Sequence, residues 1–279
     1  MTDEHIVPFS LGGSHVIKHA SCRSCQGITS KIERAIAKGM WEDGRIAYDV
    51  PSYRKKRRPT HISVPNHRPE LPSITMPYSE YPAMMVFYWM QPAGILQGMP
   101  EDVDISKFWL LKAITDDKKV AAFEATYPGR LVTRFRHEPE NFGRLLAKIG
   151  YGQILTQLDV TDFEPICLPY ILGKKKNVSF IVGGNPNPTD KMEFGYYMST
   201  AGFGTVERMM LIAEVKLFAD QETPLYHVVV GDIKGRDKVA AALAKIDSQG
   251  KIELIPNIAL NRPPQLHWEP IIWPPPYWG

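Results

Sequence analysis

Twenty-four prolines are spread along 279 residues, and each one fixes a backbone dihedral and removes a hydrogen-bond donor. A chain interrupted so often forms extended and turning segments more readily than long helices. It is nevertheless 44% hydrophobic and 23% charged, which is enough to bury a sizeable core and unlike a disordered or collagen-like composition. The length suits one large core or two modest ones. A formal charge of +3 is only mildly basic, so any surface for nucleic acid has to be local.

Three cysteines cannot all pair. Cys22 and Cys25 form a C-x-x-C, and Cys167 stands alone far downstream. That pattern argues against a disulfide framework and for a reducing, cytoplasmic setting. The longest apolar stretch, Met84 to Met90, is far too short to span a bilayer, and the start MTDEHIVPF lacks the basic and apolar regions of a signal peptide. These features predict a cytoplasmic protein with no membrane partner.

The first forty residues read as strand, turn, strand, helix. Glu4 to Phe9 has strand character, Ser10-Leu11-Gly12-Gly13 signals a turn, and a second strand begins at Val16 and Ile17. Ile28, Ile32, Ala35 and Ile36 then fall on one face of a helix that Gly39 is placed to stop. Residues 41–80 hold the basic run and Pro59, Pro65, Pro69, Pro72 and Pro77, and read as a linker or arm. Residues 81–260 read as a larger mixed unit. Its predicted strands are Leu131 to Arg136, Val178 to Val182, Arg208 to Phe218 and Tyr226 to Ile233, and Met84 to Met90 is either a strand or a buried helix. Its predicted helices lie behind Pro139 and over Lys238 to Ile246. Gly183-Gly184-Asn185-Pro186 has the composition of a turn. Residues 261–279 form a Pro/Trp-rich tail, docked on a groove or open to a partner.

The segment Glu4-His-Ile-Val-Pro-Phe-Ser-Leu-Gly-Gly13, followed by Cys22-Arg-Ser-Cys25-Gln26, resembles the HNH (ββα-metal) endonuclease family over roughly residues 3 to 38. The resemblance implies an α+β protein, with an N-terminal ββα-metal (HNH-like) unit followed by a larger mixed α/β domain. It also implies phosphodiester hydrolysis supported by Mg²⁺ or Mn²⁺. Such a reaction needs an activated water in line with the leaving oxygen and positive charge on the phosphate.

By that resemblance His5 is the general base, a role suited to an imidazole whose ordinary pKa lies near neutrality, and Glu4 is a metal ligand. Gln26 stands where the family carries Asn or His and is a further metal ligand by that resemblance; its oxygen can bind Mg²⁺, although its extra methylene departs from the family's geometry and Mg²⁺ holds closely to an octahedral shell. Ser30 and Glu33 share the helix face of Gln26, and Glu33 is the better substitute ligand on charge. Many relatives carry a second C-x-x-C that completes a structural zinc site, but no cysteine precedes Glu4 here. Cys22 and Cys25 are then half a Zn²⁺ site open to completion by His15, His19, Cys167 or a second chain, or else two small residues packed at the strand-to-helix corner.

Arg54, Lys55, Lys56, Arg57 and Arg58 follow Tyr53. Such a cluster binds nucleic-acid backbone through charge and counterion release, and the tyrosine is placed to stack on a base; a solvated loop is the plainer reading. The sequence thus predicts a metal-dependent HNH-type endonuclease acting on DNA. The rival is a weakened HNH-fold subunit that binds nucleic acid or assembles with others, as a homodimer or under the control of a protein partner.

Overall fold

A computed structural model describes residues 1–52, 55–65, 70–128, 135–185, 191–192 and 195–247. The fold is α+β, with small antiparallel sheets and helices of mixed length. In chain order the elements are β1 (Thr2–His5), β2 (Val16–Ser21), α1 (Arg23–Arg34), α2 (Glu42–Ala47), β3 (His61–Val64), β4 (Ile74–Pro77), β5 (Met85–Trp89) and β6 (Leu110–Ile114). They continue with α3 (Asp117–Thr126), α4 (Pro139–Ile154), β7 (Glu164–Pro165), α5 (Leu168–Ile171), β8 (Val182–Gly184), β9 (Tyr196–Gly204), β10 (Arg208–Leu217), β11 (Tyr226–Lys234) and α6 (Arg236–Asp247).

The largest sheet runs β7-β11-β10-β9, with β8 also paired to β11. Its alternating apolar side chains, among them Leu211, Ala213, Val215, Val228 and Val230, are fully buried. Helix α4 packs on β10 and β11. Proline suits its first turn, where the amide has no helical partner. Phe142, Leu145, Leu146, Ala147, Ile149 and Ile154 are all buried on it, so this helix is enclosed on most of its circumference.

The N-terminal strands pair antiparallel, with Glu4 opposite Ile17 and His5 opposite Val16 and an irregularity between Thr2 and Glu4. The two turn glycines have different jobs. Gly12 adopts φ +93°, which favours glycine, while a Cβ on Gly13 would sit 1.9 Å from the Val7 carbonyl oxygen. Ile6, Val7 and Leu11 from this hairpin, and Ile32 and Ile36 from α1 and its continuation, join the same hydrophobic core as α4 and the large sheet.

Gly39 does not stop the helix. The chain continues past Arg34 through a widened turn over Ala35–Met40, in which the Trp41 amide donates to the Ile36 carbonyl at 3.0 Å. That i to i−5 bond accommodates one extra residue and turns Trp41 inward to meet Phe87, Phe142 and Phe218.

Met85–Trp89 is a strand and pairs with β6. The strand expected over Val178–Val182 is instead a 3₁₀ turn at Val178–Phe180 followed by β8. Ser179 explains the turn: its hydroxyl bonds Asn177 Oδ1 at 2.6 Å and accepts from the Ile105 amide at 3.0 Å, which favours a local bend over a ladder. Gly183 and Gly184 are not a free turn either, because they form part of β8 opposite His227 and Tyr226. A Cβ on Gly183 would lie 2.3 Å from the Ala93 amide nitrogen, so the glycine permits close backbone approach.

The stretch read as a linker carries α2 and the β3–β4 hairpin, which bury Val64, Met76, Tyr78 and Tyr81 with Phe123 in a small cluster of their own. Residues 131–134 of one expected strand, Tyr53, Arg54, Pro186 and the Pro/Trp tail lie outside the described residues.

Candidate functional site

The centre of the candidate site is a residue that the sequence did not single out. Lys148 projects from α4 with only 6% of its side chain exposed, and an ammonium so buried needs counter-charge. Its Nζ lies 2.8 Å from Glu4 Oε1 on β1 and 3.0 Å from Glu33 Oε1 on α1. It also donates to the His5 carbonyl, and to the Ile6 carbonyl at 3.2 Å. Four oxygens, two from the main chain at the end of β1 and two from carboxylates, therefore surround one cation, and that cation belongs to the protein.

The two carboxylates are themselves partly buried, with 19% and 25% of their side chains exposed. Burial pushes the Glu33 carboxyl above its ordinary range, against the pull of Lys148, and the negative charge of Glu4 pushes it further the same way. His5 acts on Glu33 in the same sense as Lys148, as the smallest of these influences. The His5 ring itself packs at 6.0 Å between centroids from Phe9.

Of the residues singled out in the sequence, the fold thus brings together the side chains of Glu4 and Glu33, with His5 reaching the same ammonium through its carbonyl. Gln26 lies seven residues before Glu33, roughly 10 Å along the helix axis, and is not among the groups around Lys148. Among the described residues no group of three or more His, Cys, Asp or Glu is placed to hold a metal ion. The oxygens at the Lys148 seat suit a hard cation in kind, but the ammonium fills the position between them. The arrangement as it stands does not fit a resident Mg²⁺ or Mn²⁺. Among the described residues no His, Asp, Glu or further Cys joins Cys22 and Cys25 in a metal-holding group.

Those two cysteines begin α1. Cys22 is its N-cap, with Sγ accepting from the Cys25 amide at 3.4 Å. Cys22 is exposed, Cys25 half-buried and Cys167 fully buried. Between the cysteines and the Lys148 seat lies a cavity of about 270 Å³, walled mainly by Ile17, Tyr151, Leu155, Leu168 and Leu172 and touched by both cysteines, Glu4 and Lys148.

The basic run sits at a second place on the same unit. Lys55, Lys56 and Arg57 form an exposed 3₁₀ turn. Lys55 reaches Asp49 at 2.5 Å, and Arg58 bonds Asp49 at 3.4 Å and the Val50 carbonyl. The preceding helix α2 is clamped to the N-terminal hairpin by Arg45, whose Nε donates to the Ser10 carbonyl at 2.7 Å and whose guanidinium also donates to the Ala37 carbonyl at 2.9 Å. Gly12 and Ser14 of the hairpin turn share an open groove of about 610 Å³ with Asp49, Val50 and Pro51. The basic turn is joined to that groove only through Asp49 and Val50, which Lys55 and Arg58 bond.

No described helix is long and apolar enough to cross a membrane. Comparison with protein-family models, with curated proteins and with solved structures finds no match to this chain.

Proposed function

We propose that this chain acts on nucleic acid through an HNH-like ββα unit, as an endonuclease that hydrolyses the phosphodiester backbone, with DNA as the favoured substrate. One observation supports the reading: β1 and α1 bring the carboxylates of Glu4 and Glu33 together at one buried ammonium, which also takes the His5 carbonyl. In this role His5 takes the proton from the attacking water. Lys55 to Arg58 hold backbone phosphates, without reading sequence. The resemblance implies Mg²⁺ or Mn²⁺, which would supply charge stabilisation at the phosphate, but Lys148 stands in the cation position and no step is assigned to the metal.

The position of Lys148 favours a second reading, in which the unit binds nucleic acid and has lost turnover. Nicking of supercoiled plasmid separates the two. The endonuclease reading expects cleavage by wild type and its loss in His5→Ala; equal cleavage by both proteins removes His5 from the chemistry. Absence of cleavage with Mg²⁺ or Mn²⁺, together with tight and salt-sensitive DNA binding, selects the binding module.

A further inference from the structure

We infer that Cys22 and Cys25 form a thiol–disulfide exchange site whose substrate is a low-molecular-weight disulfide with an apolar flank, received by the cavity beside them. The roles follow from geometry. Cys22 is exposed and caps a twelve-residue helix, so its sulfur faces the partial positive charge of free backbone amides, with the Cys25 amide aimed at it at 3.4 Å. Cys25 is half-buried three residues on, one turn away on the same helix face. Cys22 is thus the attacking sulfur and Cys25 the resolving one. The cavity wall of Ile17, Leu155, Leu168 and Leu172 favours an apolar flank, and the two charged groups in that wall, Glu4 and Lys148, are already paired with each other; Lys174, outside it, also acts on Cys25.

The exchange balances in two steps. The Cys22 thiolate attacks one sulfur of the substrate, forming a mixed disulfide while the substrate's S–S bond breaks and the first thiolate leaves to take up a proton. Cys25 then loses its proton and attacks Cys22 Sγ, forming the Cys22–Cys25 disulfide and releasing the second thiol. The protein dithiol is oxidised by two electrons and the substrate disulfide is reduced to two thiols.

The inference is independent of the nuclease reading, because neither sulfur belongs to the Lys148 cluster. Its test uses the reduced full chain with dipropyl disulfide as probe and peptide mass spectrometry as readout. An internal Cys22–Cys25 disulfide is expected in the wild type, a trapped adduct on Cys22 in Cys25→Ser, and neither product in Cys22→Ser. Buried Cys167 stays unmodified and serves as the internal reference. With limiting iodoacetamide at neutral pH, Cys22 should react about tenfold faster than Cys25. Equal alkylation of the two, no adduct on Cys22 in Cys25→Ser, or sulfurs shielded by stoichiometric zinc in the purified protein would each overturn the assignment.

Discussion

Lys148 Nζ and Glu33 Oε1 stand 3.0 Å apart, so a helix buried in the main core supplies the counter-charge for a helix of the N-terminal unit. Removing one member of such a buried set leaves the others uncompensated. Lys148→Met should cost about 3 kcal/mol of unfolding free energy, as expected for breaking a buried ion pair, and the double change with Glu33→Gln should recover part of it. Urea denaturation of the three proteins checks this; an unaltered midpoint in the single variant would sink the idea. The vacated seat, with two carboxylates and two carbonyls, should also gain affinity for Mn²⁺ over wild type, read by electron paramagnetic resonance of free manganese.

The paired turn glycines should fail unequally. Gly12→Ala adds a side chain into open space and meets only the strain of a left-handed backbone, about 1 kcal/mol. Gly13→Ala drives a methyl onto the Val7 carbonyl, so the hairpin has to shift and the loss should be distinctly larger. Thermal melting of both variants gives the order, and a reversed order would be inconsistent with the turn described.

His227 on β11 makes stability depend on pH. Its buried Nε2 accepts from the Ala93 amide at 3.0 Å, and burial lowers its pKa to about 4. The unfolded chain takes up a proton below an ordinary histidine pKa while the folded chain does not, so stability falls as pH drops from about 6.5 towards 4. The full effect of this one group is about 3 kcal/mol. In His227→Gln the difference in urea midpoint between pH 7 and pH 5 should shrink; an unchanged difference removes His227 as its source.

The basic turn should contribute affinity without selectivity. Lys56 and Arg57 are exposed, whereas Lys55 and Arg58 are engaged by Asp49. Replacing Lys56 and Arg57 by alanine should weaken DNA binding uniformly across sequences and reduce the slope of log affinity against log salt by about one per residue. Fluorescence anisotropy at several salt concentrations measures it, and an unchanged slope would place the contact elsewhere.

The N-terminal order of strand, strand and helix was legible from a Gly-Gly turn and isoleucines at helical spacing, but the first strand was misplaced: β1 ends at His5, and Phe9, read as strand, opens a 3₁₀ turn. Helix α4 was legible in the same way, while β10 and β11 were legible as apolar runs even though their ladder shifts register at Leu211 and Ile212. Strand β9 was not anticipated, since Gly202 and Gly204 interrupt its apolar alternation; yet Ala201 and Phe203 are buried in it. The extension through Ala35–Met40 was hidden by Gly39, whose role is set by packing near Arg136 and Glu138 rather than by local preference. Lys148 was missed for a related reason. A lysine in an amphipathic pattern reads as part of the wet face, and only the enclosure of α4 on nearly all sides converts it into a buried charge. The signal available was the density of apolar residues around it, with buried Ala147 and Ile149 as its neighbours.

Ile6, Val7, Leu11, Ile32 and Ile36 are packed into the core that α4 and the large sheet also build. The first forty residues therefore keep no private interior, and a peptide of that length, cut free, would lose the surface against which its hairpin and helix are held. Whatever this unit does cannot be lifted onto another scaffold as a cassette. Its chemistry is also exposed to distant changes, because a substitution that tilts α4 moves Lys148 and, with it, the point where Glu4 and Glu33 meet.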